Sequence, residues 1–251
     1  MNISRIRKLY SLLPENAKGL KWRKPTSSEL DLICSEKQVI SNCYDMATRE
    51  ALLSSNEGRK IFSKRIKIAD TSNGTKVCKV IFNINGKNKA YSARFMSKNT
   101  LGWQISNAVN KMISHNWSQK PLISRFARLG LSLPGEFNKP SNAFKWFTGE
   151  KPISIGENGL KTNLKGHRQK LLELFKELGG KNFNEYSFVA LSGLHRRKHT
   201  GWKILHCLAV KGVDFQNKMV SVMNKRTNQI YKVSFDDFIN DFKAIVGLNF
   251  S

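Results

Sequence analysis

Long apolar runs are missing from this chain. No window approaches the roughly 18 uninterrupted apolar residues that cross a bilayer, so no membrane-spanning helix is expected. The opening "MNISRIRKLYSLLPENAKG" also lacks the apolar stretch of a cleaved signal peptide, so any export is expected to follow a non-classical route. Cysteine is sparse: Cys34, Cys43, Cys78 and Cys207 include no CxxC pair, which excludes zinc-knuckle spacing and a dense disulfide framework. A reducing compartment is the expectation. Acidic residues are scarce as well, 18 Asp+Glu against 43 Lys+Arg, giving a formal net charge of +25 and a pI near 10.1. Between Asp70 and Glu150 the only acidic residue is Glu136. That stretch predicts a strongly positive surface, whose partner classes are nucleic acid, anionic lipid headgroups or an acidic protein. The plainer alternative is lysine that merely solvates the surface. No zinc-finger, RNP or helix-turn-helix pattern accompanies the charge.

What is present is an ordinary globular composition. The 251 residues are 40% hydrophobic and 24% charged, enough to bury one sizeable core or two packed lobes, and inconsistent with wholesale disorder. Residues 1–30 read as a polar, basic leader ending in a helix N-cap near Ser27 or Ser28, with Glu29 in the first turn. From Cys43, the positions Met46, Ala47, Ala51 and Leu52 recur at helical spacing, and "SSNEG" reads as a glycine stop. "KVCKVIFNINGKNKAYSARF" alternates and turns at Asn85-Gly86, a strong hairpin signal. Helices are predicted over "LGWQISNAVNKMISHNW", "SNAFKWFTG" and "LKGHRQKLLELFKELGG", and strands over "YSFVALSG", "KILHCLAVKGVDF", "MVSVMN" and "QIYKVSF". "FDDFINDFKAIVG" reads as a closing helix. Helices first and antiparallel strands last predict an α+β fold.

The chemistry-bearing residues are a thiol, an imidazole and an amide. Cys43 falls at the start of a helix, where unsatisfied N–H groups and the positive end of the helix dipole stabilise a thiolate. His206 and Asn224 lie eighteen residues apart, the length of one strand, a turn near Gln216-Asn217 and most of a second strand, so both are predicted to face one cleft. A thiol nucleophile needs a base within reach, and the base needs a third group to fix its tautomer. Asp214 competes with Asn224 for that role, but it falls at the hairpin turn, too far along the strand to reach back. Gln38, five residues before Cys43, can supply an oxyanion-hole donor with the Cys43 N–H. Cys34 is the rival nucleophile. Cys207 is placed by strand alternation on the face opposite His206 and therefore in the core. The plain readings are a buried Cys43, a hydrogen-bonded His206 at a strand edge and Asn224 as a turn residue. His195, Arg196, Arg197 and Lys198 form a basic loop suited to an anionic partner. No metal or cofactor is called for.

These residues resemble the papain-like cysteine peptidases, with calpain-type catalytic cores nearest in arrangement. "SNCYDMA" resembles the segment around the family's nucleophile, and "HCLAVKGVDF" resembles its histidine segment, with a hairpin and a tryptophan-containing helix between them in the same order. The resemblance spans roughly residues 36–240. It implies a two-lobed fold, with a helical Cys lobe over about 31–150 and a β-rich His/Asn lobe over about 151–251. It further implies a monomeric thiol hydrolase with a catalytic triad of Cys43, His206 and Asn224, acting on a protein substrate. The same apparatus serves a protease or a glutamine deamidase. The chain departs from calpain cores where Lys225-Arg226-Thr227 replaces the usual Pro-Trp-Gly after the asparagine, and acidic calcium ligands are not apparent. Size and economy are closer to small secreted bacterial effectors of this fold, virulence factors delivered into the host cytosol; a cytoplasmic protein is the other reading. From another class, a basic nucleic-acid-binding protein with an incidental cysteine remains an alternative.

Overall fold

In the computed structural model, the described residues are 19–37, 43–72, 74–92, 100–116, 139–157, 164–192 and 206–250. They form a mixed α+β fold with two antiparallel sheets. Helix α1 (Ser27–Ser35) starts with a capping box: the Glu29 N–H donates to Thr26 Oγ1 at 3.2 Å, and the Thr26 N–H to Glu29 Oε2 at 2.8 Å. The cap is thus Thr26, one residue before the position its serines suggest. Residues 19–30, grouped by composition with the leader, are packed here. Arg23 exchanges two backbone hydrogen bonds of 2.9 Å with Ile68, and Lys79 sits 4.2 Å over the Trp22 ring. Residues 1–18 lie outside the described part.

Helix α2 (Cys43–Ser54) is buried from Tyr44 through Leu53. It does not end in a glycine stop. Ser55 caps a second helix, α3 (Asn56–Arg65), by accepting from the Gly58 N–H at 3.1 Å. Gly58 is required by proximity, since a Cβ there would lie 2.3 Å from the Leu52 carbonyl oxygen across the corner between the helices. The chain then enters β1 (Ile66–Asp70), β2 (Lys76–Ile84) and β3 (Lys87–Ser92), an antiparallel sheet in sequence order. The β2–β3 turn has Asn85 at φ 52° and Gly86 at φ 78°, the paired left-handed residues that a tight hairpin needs. Helices α4 (Leu101–Asn116) and α5 (Pro140–Thr148) pack on this sheet.

The second sheet has the order β4 (Ile153–Ile155), β9 (Phe242–Asn249), β5 (Tyr186–Ser192), β6 (Cys207–Asp214), β7 (Met219–Asn224), β8 (Gln229–Ser234). Alternation along its central strands feeds two cores. Val189, Cys207, Ala209, Val246 and Leu248 face the core shared with α2, α4, α5 and the small sheet. Phe188, Ala190, Leu208, Val210 and Ile245 face the core under α6 (Arg168–Gly179) and α7 (Phe235–Asp241). A sheet covered on both faces explains why "FVAL", "CLAV" and "AIV" are unbroken apolar runs. The closing helix expected over residues 235–247 stops at Asp241. Ala244, Ile245 and Val246 are fully buried within an inner strand, a place that β-branched residues such as Ile245 and Val246 favour.

Candidate active site

Helix α2 lies across β5 and β6, where Ser187 Oγ meets Ser55 Oγ at 2.8 Å and Ala51 O at 2.9 Å. Its side toward α4 is fixed by a buried network. Arg49 pairs with Asp45 at 3.1 Å and donates to Ser106 Oγ at 2.8 Å and Gly102 O at 3.0 Å. This packing sets the first residue of α2, the half-buried Cys43, against the start of β6.

His206 immediately precedes β6. Its N–H donates to Ser192 Oγ at 3.1 Å and its carbonyl accepts from the Ser192 N–H at 2.8 Å, tying its backbone to the end of β5. Its imidazole Nε2 lies 3.0 Å from Asn224 Oδ1, at the end of β7. The Arg226 N–H also donates to that oxygen, at 3.0 Å. A backbone N–H is always a donor, so its contact fixes which end of the Asn224 amide is oxygen. An amide oxygen accepts only; the proton of the His206–Asn224 bond is therefore on Nε2. Nδ1 is left for Cys43, with which His206 is hydrogen-bonded. Asn224 Nδ2 is buried without a hydrogen-bond partner among the described residues.

The electrostatics follow from these contacts. The Cys207 thiol, hydrogen-bonded to the Cys43 sulfur, and the His206 imidazole together hold the Cys43 thiol well below its ordinary range, against burial that acts to raise it. Burial disfavours a charged imidazole at His206, but the Cys43 thiolate and Asn224 outweigh it and hold the ring above its ordinary range. The other thiols move the opposite way. Cys207 is pushed up, first by its bond to Cys43 and then by burial. Burial and the Glu50 carboxylate push Cys34 to about 12, and burial pushes Cys78 to about 12. Both directions, Cys43 down and His206 up, favour a thiolate beside an imidazolium, the charge pair that activates a sulfur nucleophile.

Cys43, His206 and Asn224 are thus brought together from three elements. Cys34 is a hydrogen-bond donor to Glu50 Oε2 at 3.1 Å and lies apart from them in α1. Asp214 is exposed at the far end of β6, where its carboxylate accepts from the Asn217 N–H and side chain at 3.0 and 2.8 Å. Gln38 and the segment His195, Arg196, Arg197 and Lys198 lie outside the described residues. Cys207 corrects the expectation from alternation. It is buried, but its side chain faces α2 and Cys43 rather than away from the site. His206 precedes the strand, so the pleat does not dictate its direction, and adjacent residues reach the same place.

The residues after Asn224 were not expected to matter. Lys225, only 3% exposed, carries an ammonium 3.2 Å from Glu50 Oε2; Glu50 lies two turns along α2 from Cys43. Lys211 of β6 pairs with Glu50 Oε1 at 3.0 Å. Burial acts to raise the Glu50 carboxyl, and the two lysines overcome it and hold it below its ordinary range. The signal available in the sequence was a lysine at each end of β-structure with a lone helical glutamate, too common a pattern to be read. An open cavity of about 570 Å³, lined by Asn83, Asn116, Asn142, Lys145, Trp146 and Lys151 among others, includes none of the site residues. No group of three or more His, Cys, Asp or Glu that could hold a metal occurs among the described residues. Compared with known proteins, the chain matches no family model and no curated sequence.

Proposed function

We propose that this protein is a cysteine-dependent amide hydrolase with a papain-like, two-lobed arrangement and a Cys43-His206-Asn224 triad. The observation that carries the reading is the amide of Asn224. Its oxygen, oriented by the Arg226 N–H, receives the His206 Nε2 proton and leaves Nδ1 to the Cys43 sulfur. In the reaction, the Cys43 thiolate attacks the substrate carbonyl carbon. The oxyanion forms beside the Cys43 N–H at the start of α2, with Gln38 as the second donor that the sequence suggests. The imidazolium gives its Nδ1 proton to the departing nitrogen, leaving a thioester. Water then attacks the thioester while Nδ1 takes its proton, and the acid product departs from a regenerated thiolate. Asn224 keeps the ring in one tautomer throughout.

The substrate in this reading is a protein, cut at a peptide bond. Deamidation of a glutamine side chain uses the same steps with ammonia as the leaving group. Mass spectrometry of cell proteins treated with the intact enzyme or with Cys43→Ala separates the two, as a chain cut or as a one-dalton gain. A Cys43→Ala protein that produces the same changes as the intact one overturns both. The net charge of +25 supports a second reading, a basic protein that grips nucleic acid. That reading requires binding that falls steeply with salt and is indifferent to alkylation of Cys43.

A further inference from the structure

Asn224 can orient His206 only if the turn that follows it is held still. In the sequence pattern that this chain resembles, proline and tryptophan follow the asparagine; here the turn is Lys225-Arg226-Thr227-Asn228. The Asn228 N–H closes it onto the Asn224 carbonyl at 2.7 Å, with Asn228 left-handed at φ 58°. The Lys225 ammonium has three protons to donate, and three acceptors surround it: Glu50 Oε2 at 3.2 Å, Asn228 Oδ1 at 3.3 Å, and the carbonyl oxygen of Cys34. Each lies on a different part of the site's frame. Glu50 belongs to the helix that begins at Cys43, Asn228 to the turn itself, and Cys34 to the last turn of α1.

We propose that Lys225 is a positioning residue for catalysis: its buried ion pair with Glu50 locks the 225–228 turn to the nucleophile helix, and so holds Asn224 Oδ1 where it fixes the His206 ring. The inference rests on the thiolate-imidazolium reading above. The groups facing Glu50 divide its surroundings cleanly. Among the described residues, Cys34 faces it from α1, Ser54 from its own helix, Lys211 from β6 and Lys225 from the turn, and of these Lys225 itself belongs to the turn that carries Arg226. Lys211 compensates charge; Lys225 compensates charge and fixes position. A displacement of the turn moves the Arg226 N–H and the Asn224 oxygen together, releasing the imidazole from its tautomer.

The test is the rate of iodoacetamide alkylation of Cys43 from pH 5 to 9 in the full chain, with circular dichroism to establish folding. Lys225→Met is expected to slow alkylation at pH 6 by about 10- to 100-fold and to move the profile toward that of an ordinary thiol. Lys225→Arg is expected to recover most of the rate, and Lys211→Met to leave the profile in place. Should Lys225→Met fail to fold, Glu50→Gln/Lys225→Met removes the stranded buried charge and is read in its stead. A folded Lys225→Met, or double variant, with an unchanged profile overturns the positioning role and leaves the thiolate reading standing. So does a Lys211→Met variant displaced as far as Lys225→Met, because charge alone then accounts for the effect. A native Cys43 no more reactive at pH 6 than a free thiol, and indifferent to His206→Ala, overturns both.

Discussion

The contact between two thiols is the first cause of the downward shift at Cys43. Cys207 donates its S–H to the Cys43 sulfur, and a hydrogen bond to a charged acceptor contributes about 1.5–3 kcal/mol. Cys207→Ala is therefore expected to slow Cys43 alkylation roughly 10- to 100-fold at pH 6, and far less at pH 9, where even an ordinary thiol is substantially ionised. The proposed triad predicts a pH dependence of turnover with two limbs of assignable sign. Cys43 is shifted down, so activity rises as pH climbs through its lowered value. His206 is shifted up, so the proton it must give to the leaving group is lost only above the ordinary histidine range. A bell with its acid limb well below pH 9 is expected from initial rates, and Asn224→Ala is expected to pull in the basic limb by removing one support of the imidazolium. The adjacency of Cys43, His206 and Asn224 was legible because each belongs to a pattern: a helix start, a strand start and a strand end. Cys207 and Lys225 were not. Whether an adjacent residue shares a face with His206 depends on where the strand begins to within one position, and a buried lysine looks like any other until its carboxylate is known.

At the scale of elements, Gly58 sets two effects against each other. Alanine in a helix is favoured over glycine by about 1 kcal/mol. At Gly58, however, the added carbon would lie 2.3 Å from backbone oxygen and 2.4 Å from Ser55 Oγ, and backbone cannot move aside cheaply. Overpacking costs typically about 1–3 kcal/mol, so Gly58→Ala is expected to lower stability, measured as an earlier midpoint in urea. The opposite shift would mean that the α2–α3 corner is looser than its contacts require. Helices α1, α2, α4, α5 and α6 and the Asn85-Gly86 hairpin were readable from periodicity and turn chemistry; α3 was not. The α2–α3 corner and β9 were not, for related reasons. A glycine needed for close approach reads like one needed to stop a helix, and "FKAIVGLN" carries apolar residues at spacings that suit a helix or a doubly covered strand. Only the neighbours on either side settle it.

Over the whole molecule, the six-stranded sheet serves as the shared wall of two cores, with Val189 and Val246 on one side and Phe188 and Ile245 on the other. Neither core keeps its wall if the other's strands separate. Unfolding is therefore expected as one transition: low-pH reactivity of Cys43, which reports on the first core, and the native methyl NMR signals of Leu171 and Leu178, which report on the second, are to vanish at the same urea concentration. Two separated midpoints would show that the halves are stable apart. The α+β class was visible from the change in hydrophobic period along the chain; α3, β1, β4 and β9 were not read from it. The sharing of one sheet between two cores was not, since it depends on pairing between segments distant in sequence.

The place of β9 has a consequence for how the protein is made. Strands β5 to β8 are antiparallel neighbours in chain order and can pair as they emerge, but the other edge of β5 waits for residues 242–249. During synthesis that edge is open, with Phe188 and Val189 lacking the strand that flanks them. The wall on which the Cys43 helix rests is completed only when those residues leave the ribosome. Cys43, translated some two hundred residues earlier, has the sheet beneath its helix complete only then.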